Sequence, residues 1–226
     1  MAILLDTSLV NEIKTFHEYG IIRGVTTNPS ILIKEHSDLN IKDLKIKLIE
    51  IAKIIDPLPL SIEVINNKVS QMENEADLFS SWAKNINVKI TIHGPNGELE
   101  NLKLIHDLET KKNIRINVTA MMSAQQCYLA AQAGATYVSI FGGRINDMGY
   151  DSTTEIKILR ELLDKSNLKA KIIVGSSREI LNIVQWLNAG ADFVTCIPQL
   201  LRGMLIHPYT KETVKMFIDD GKKIKT

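Results

Sequence analysis

Short apolar, β-branched runs alternate with longer stretches of helical period from one end of the chain to the other. Eight runs read as strands: Ile3–Thr7, Gly24–Asn28, Leu60–Val64, Val88–Ile92, Arg115–Thr119, Tyr137–Phe141, Lys171–Gly175 and Phe193–Ile197. Between them, apolar spacing of three and four predicts helices such as Ile41–Ile55, Ser70–Ala83, Gly97–Leu108, Ser123–Ala133, Thr154–Leu163 and Arg178–Asn188. A last amphipathic piece, Lys211–Asp219, follows His207-Pro208. Ala133-Gly134-Ala135 and Ala189-Gly190-Ala191 end two helices with a glycine suited to a left-handed cap. No Pro/Gly/Ser-rich linker breaks the alternation, so one domain over 1–226 is expected, with 208–220 as a C-terminal helix. Eight strand–helix units in this length fit an α/β protein built as a closed (β/α)8 TIM barrel. A doubly wound open sheet is the alternative. Eight strands are many for it, and no G-x-G-x-x-G follows the first strand.

Barrel strands turn alternate residues toward the helices and toward the interior, so polar residues sharing one parity are informative. Val88, Ile90 and Ile92 share a face, leaving Lys89 and Thr91 on the other. Ile62 and Val64 oppose Ser61 and Glu63; Ile116 and Val118 oppose Asn117 and Thr119; Val138 and Ile140 oppose Ser139 and Phe141. Ile3 and Leu5 oppose Asp6, and Val25 opposes Thr26 and Asn28. The polar parity converges on one cavity. Thr26, Thr119 and Ser139 could instead be ordinary strand hydroxyls bonded to backbone, and Asn28 and Asn117 turn-formers at strand ends. Asp6, Glu63 and Lys89 are costly inward charges unless they are paired or used, a structural ion-pair network being the plain alternative.

Charge and composition narrow the partners. The 226 residues carry 27 Lys+Arg against 26 Asp+Glu, a net charge of +1 with both signs interspersed, which disfavours nucleic acid or an anionic membrane as the main partner. No apolar run approaches the ~18 residues of a membrane span, and Asp6 interrupts the N-terminal apolar stretch before a signal sequence could form. A cytoplasmic location is expected. Cys127 and Cys196 lack zinc-like spacing and read as buried free thiols. Area scaling gives about 10,000 Å² of folded surface for a chain of this size.

A lysine held among apolar walls has its charged form disfavoured, and a neutral amine can attack a carbonyl to form an imine, which acts as an electron sink. Asp6 and Glu63 are the carboxylates of the same parity that could move protons. Metal-dependent carbonyl chemistry is the competing mechanism, but only His93 among the histidines lies near a strand end, and no metal is expected. Val174-Gly175-Ser176-Ser177-Arg178 runs from the seventh strand toward a helix start, where backbone N–H groups and the helix dipole favour an anion. Phe141-Gly142-Gly143-Arg144 adds a second guanidinium, and Ser176 could alternatively be a helix cap.

These residues together resemble a known family. Asp6-Thr7, Gly24-Val25-Thr26-Thr27-Asn28-Pro29-Ser30, Glu63-Val64, Val88-Lys89-Ile90, Asn117-Val118-Thr119, Ala133-Gly134-Ala135-Thr136-Tyr137-Val138-Ser139, Phe141, Gly143-Arg144 and Ser176-Ser177-Arg178 look like the transaldolase family. The likeness is to its short subgroup, which includes the fructose-6-phosphate aldolases, and it spans essentially the whole chain. The resemblance implies that Lys89 forms a Schiff base, that Asp6 takes the proton of the C4 hydroxyl, and that Glu63 with Thr119 holds a proton-shuttling water. It further implies that Asn28, Asn117 and Ser139 hold dihydroxyacetone hydroxyls, and that Arg144, Ser176 and Arg178 hold a phosphate. Thr26 and Phe141 would complete the substrate-binding wall. No cofactor is implied. Sugar phosphates are the implied ligands, and the state is a homo-oligomer, a pentamer or decamer, in which Lys211–Asp219 docks on a neighbour.

Transaldolases of the family carry Glu and Phe where its aldolases carry Gln and Tyr; Glu63 and Phe141 therefore favour transfer. Thr91 and Ile140 stand where prolines are usual, and His93-Gly94-Pro95-Asn96-Gly97, Ala120-Met121-Met122 and Met148-Gly149-Tyr150 also depart from the pattern. The alternatives are an aldolase releasing dihydroxyacetone, a transaldolase for a sulfonated ketose, and a non-catalytic sugar-phosphate-binding barrel.

Overall fold

The computed structural model describes residues 1–36 and 40–224. Eight parallel strands close into a barrel in chain order: β1 (Ala2–Asp6), β2 (Val25–Thr26), β3 (Leu60–Glu63), β4 (Ile86–Thr91), β5 (Ile116–Met121), β6 (Tyr137–Ile140), β7 (Lys171–Val174) and β8 (Phe193–Cys196). β8 pairs back onto β1 through Leu4↔Thr195 and Leu5↔Cys196, so no strand edge is left open. The expected strands are all present, and the closed order excludes the open doubly wound sheet.

Around the barrel lie α1 (Val10–Glu18), α2 (Pro29–Glu35), α3 (Ile41–Ile55), α4 (Val69–Ser80), α5 (Glu100–Thr110), α6 (Ala124–Gln132), α7 (Gly142–Asp147), α8 (Ser152–Lys165), α9 (Ile180–Asn188), α10 (Pro198–Leu205) and α11 (Pro208–Gly221). Apart from α11, each long helix lays an apolar stripe on the barrel. α3 buries Leu44, Leu48, Ile51, Ala52 and Ile55, spaced three or four apart, against a wall that includes Leu60, Ile62 and Val88. Each large side chain buried this way contributes about 1.5–3 kcal/mol. At the opposite rim, Asn85 Nδ2 donates to the carbonyls of Ala52 and Leu58, both at 2.9 Å, fastening the connection between α3 and β3. Gly134 and Gly190 take φ of +105° and +108° after α6 and α9, as their sequence context predicts.

Two helix starts fall two or more residues later than expected, for local reasons. α5 begins at Glu100 rather than Gly97, because Gly97 has φ +89° and the Glu98 carboxylate accepts from Asn96 N at 2.8 Å, holding a turn there. α9 begins at Ile180 with Glu179 as its N-cap, so Arg178 belongs to the preceding loop. Among the described residues no helix is long and apolar enough to cross a membrane. The accessible surface is 12456 Å², above the scaling value, and much of α11 stands off the barrel with Val214, Met216, Phe217 and Ile218 exposed.

Candidate active site

Strand register builds the site. Glu63 of β3, Lys89 of β4 and Asn117 of β5 are Cα partners in one row across the barrel wall. In parallel strands such partners point the same way, so the sequence parity becomes direct contact. Lys89 Nζ lies 3.2 Å from Glu63 Oε2 and donates to the Thr27 carbonyl at 2.9 Å. Lys89 is only 5% exposed, and the two contacts together offset the desolvation of a buried charge. The expectation of apolar walls is thus corrected: the wall that Nζ meets is polar.

β1 and β2 supply the facing group. Asp6 is in register with Thr26, whose hydroxyl donates to Asp6 Oδ1 at 2.6 Å. Thr26 has a single hydroxyl hydrogen, so Thr195 of β8, at 2.6 Å, donates to Thr26. Burial raises the Asp6 carboxyl above the ordinary carboxylate range. The Lys89 charge and the Thr26 hydroxyl pull it down again, while the charges of Glu35 and Glu63 raise it. Burial and the neighbouring Asp6 push the Cys196 thiol up to about 12, which removes it as a competing nucleophile near neutral pH.

A cavity of about 360 Å³ opens at the carboxyl ends of the strands and is lined by Asp6, Thr26, Asn28, Lys89, Asn117, Thr119, Ser139, Phe141, Arg144, Ser176 and Arg178. Of the catalytic and substrate-binding candidates the sequence offered, only Glu63 is absent from that lining. Its carboxylate reaches the cavity through Lys89 and otherwise lines a neighbouring pocket with Thr91, His93 and Ala120. Asn117 is fully buried, donating to Ser61 Oγ at 3.1 Å and accepting from Ser139 Oγ at 2.6 Å. Thr119 Oγ1 is buried with no hydrogen-bond partner among the described residues. Just beyond it Ala120 takes φ +60° and the β5–β6 register shifts, a bulge of the kind that re-aims side chains beside active sites. Asn28 caps α2, its Oδ1 accepting from Ile31 N at 2.9 Å, which leaves its amide nitrogen as the group it can offer a ligand.

The end of the cavity lined by Arg144, Ser176 and Arg178 is built differently from the sequence expectation. Glu179, not Ser176, caps α9, and its backbone N–H is already bonded to Asn182 Oδ1 at 3.2 Å. A carboxylate therefore stands at that helix start, and the positive character of this end comes from Arg144 and Arg178. The Arg144 guanidinium lies 5.5 Å from the centre of the Phe141 ring, and Arg178 pairs with Asp147 at 2.8 Å. Ser176 is held at φ +64°, and a Cβ on Gly143 would overlap its carbonyl oxygen, so α7 and the loop after β7 touch only because residue 143 is glycine. Ser177 Oγ donates to the Thr195 carbonyl at 2.9 Å and pins that loop to β8.

Sequence reading did not single out Thr195, and it assigned no part to Thr27, Ser177 or the inward-facing Ser61, because their parts lie in contacts between segments distant in sequence. It also passed over Lys34, a further cation in the cavity lining. The Thr26-Thr27 pair beside Asn28-Pro29 was the available hint for Thr27. Among the described residues no three His, Cys, Asp or Glu side chains gather as a metal site.

Fold and site together define a (β/α)8-barrel protein whose amine, carboxylates and guanidiniums meet at the carboxyl ends of its strands, where barrel enzymes carry out their chemistry. Residues 3–226 match the family model described as Transaldolase/Fructose-6-phosphate aldolase, and the chain belongs to that family. It is 39% identical over 225 residues to a probable transaldolase of Carboxydothermus hydrogenoformans, covering 100% of both chains. It is 40% identical over 220 residues to probable transaldolase 2 of Listeria monocytogenes, covering 97% of this chain and 95% of that one. The chain is an enzyme of this family. Among solved structures, a putative phosphonomutase from Burkholderia cenocepacia superposes with a TM-score of 0.62 at 13% identity, covering 97% of this chain and 93% of that one. A thiamine phosphate pyrophosphorylase from Pyrococcus furiosus gives 0.59 at 12% identity, covering 87% and 85%. At these identities the likeness is one of fold alone.

Proposed function

We propose that this enzyme is a Schiff-base transaldolase that moves a three-carbon dihydroxyacetone unit from a ketose phosphate to an aldose phosphate. The observation that carries the reading is the Glu63–Lys89–Asn117 row facing the Asp6–Thr26 pair across one cavity. The Lys89 amine adds to the donor's C2 carbonyl, and loss of water gives the imine. Glu63, 3.2 Å from Nζ, and Thr119, with its unpartnered hydroxyl, hold the water that carries protons in that step and in the closing hydrolysis. Asp6 takes the proton of the C4 hydroxyl, the C3–C4 bond breaks, its electron pair passes to the imine, and the first aldehyde leaves. The enamine then attacks the acceptor aldehyde, Asp6 returns the proton to the new alkoxide, and hydrolysis of the imine frees the product ketose and Lys89.

Asn28, Asn117 and Ser139 hold the hydroxyls of the three-carbon unit, and Arg144, Ser176 and Arg178 hold the phosphate. Phe141 brings a ring without a hydroxyl to the cavity, so nothing at that position steers a water onto the enamine, which favours transfer over release. The resemblance further supports a cytoplasmic homo-oligomer, pentamer or decamer, with the exposed apolar residues of α11 docking on a neighbour. Donor cleavage assayed with and without an acceptor aldehyde tests the reading. Turnover that depends on the acceptor is expected; rapid release of free dihydroxyacetone without one identifies an aldolase instead.

A further inference from the structure

The turn after β1 is held by a carboxylate that takes no part in the chemistry above. Glu35, the last residue of α2, accepts from Thr7 Oγ1 at 2.6 Å through Oε1, and from Ser8 N at 2.7 Å and Ser8 Oγ at 2.6 Å through Oε2. Hydrogen bonds to an ionised acceptor are roughly twice as strong as neutral ones. Thr7 and Ser8 are fully buried, and they follow Asp6 directly in the chain. Because Ser8 gives its only hydroxyl hydrogen to Glu35, the His36 ring, 3.0 Å from Ser8 Oγ, donates to it through Nε2.

α2 needs such a fastening. It is a helix of 7 residues whose only buried residue is Leu32, too little apolar area to fix its position. Yet its cap Asn28 and its residues Ser30, Ile31 and Lys34 line the cavity. We propose that Glu35 is a positioning residue for the Asp6 base: its carboxylate clamps the Thr7-Ser8 turn to α2, fixing the wall that carries the base against the wall that carries Asn28. The proposal rests on Asp6 acting as the base of C–C cleavage.

The charges that act on the Asp6 carboxyl are those of Lys89 of β4, Glu35 of α2 and Glu63 of β3, and its own charge acts on the Cys196 thiol of β8. His36 reaches the turn only through Ser8, and Lys34 lines the same cavity. Glu35 is one of the charges that raise the Asp6 carboxyl. Cleavage needs Asp6 deprotonated, so the rate falls as pH drops through its raised value. Neutralising Glu35 lowers that value, and the acid limb of the pH profile moves down.

Glu35→Gln keeps the shape, removes the charge and replaces one acceptor oxygen with an NH2 group. In the full-length enzyme, borohydride trapping on Lys89 at saturating ketose donor should stay within about twofold of the parent, because Lys89 and Glu63 stand on β4 and β3, which the clamp does not join. Single-turnover C–C cleavage should slow by about 10–100-fold, the scale of a small misplacement of a catalytic group, and the acid limb should shift to lower pH. A folded Glu35→Gln enzyme with parental cleavage and an unmoved acid limb overturns the proposal. So does an equal loss of trapping and cleavage at every pH, the sign of general loosening. Should Glu35→Gln fail to fold, Ser8→Ala removes one donor from the clamp: slower cleavage with trapping intact supports the proposal, and parental cleavage overturns it. An Asp6→Asn enzyme that cleaves normally would instead remove the underlying reading of Asp6 as base.

Discussion

On β4, Val88 and Ile90 face the helical shell while Lys89 between them faces the barrel interior, and different forces hold the two sides. Val88 and Ile90 are fully buried among apolar neighbours, where close packing and area removed from water supply the stability. Lys89 meets Glu63 and the Thr27 carbonyl, and around it Asp6, Thr26, Thr195, Asn117, Ser61 and Ser139 are joined by hydrogen bonds. The shell is held mainly by apolar packing, with a few bonded polar groups such as Ser152 and Trp186. The interior is held mainly by polar contacts, Thr119 Oγ1 and the Asn87 amide being left without partners among the described residues. Substitutions in the shell should therefore cost stability and spare the chemistry, and substitutions in the interior the reverse.

The largest effect falls in the interior. Asp6→Asn should slow C–C cleavage by about 10²–10⁴-fold while imine formation continues, read as trapped enzyme that fails to release the first aldehyde; parental turnover would break the division of roles. Ile90→Ala, one residue from Lys89 but on the shell side, should lower unfolding free energy by about 2–5 kcal/mol in a denaturant titration. Its activity per folded molecule should be unchanged, and a loss of kcat in the folded fraction would blur the two regions. Arg178→Ala should raise KM for phosphorylated donors by about 10–100-fold, the worth of a charge-assisted hydrogen bond, and leave neutral ketoses nearly unaffected. Asp147→Asn should do the opposite on a smaller scale. An exposed pair of this kind contributes about 0.2–1 kcal/mol, so freeing Arg178 from it should lower KM for anionic donors a few-fold at low salt, with the gain fading at high salt.

What the sequence made legible follows the same division. Period-2 and period-3.6 patterns come from burial in the shell, so the strands and the long helices could be read, α3 to the residue. Lys89, Glu63 and Asp6 stood out because a charge on the inward parity of a strand is anomalous without a partner. The interior network was less accessible. Thr195 lies 169 positions from Thr26 with nothing local to mark it, and Thr27 lies 62 from Lys89 with only the neighbouring Thr26 and Asn28-Pro29 as a hint. The Glu35 clamp was hidden for a similar reason, its bonds spanning 27 and 28 positions. α7 escaped because Gly142-Gly143 disfavours a helix on propensity. Tertiary fit overrides this, since a Cβ at Gly142 would strike Trp186 and Val174 and one at Gly143 would strike Ser176. Arg178 was expected inside a helix start, and the Glu179 cap moved that boundary by two residues.

The central claim is that the inward amine of β4 is the nucleophile, and covalent trapping tests it most directly. Treating the enzyme with a ketose phosphate donor and borohydride, then mapping the adduct by peptide mass spectrometry, should place a reduced sugar on Lys89, with labelling abolished in Lys89→Ala. Labelling on another residue, or undiminished labelling of Lys89→Ala, would contradict the account.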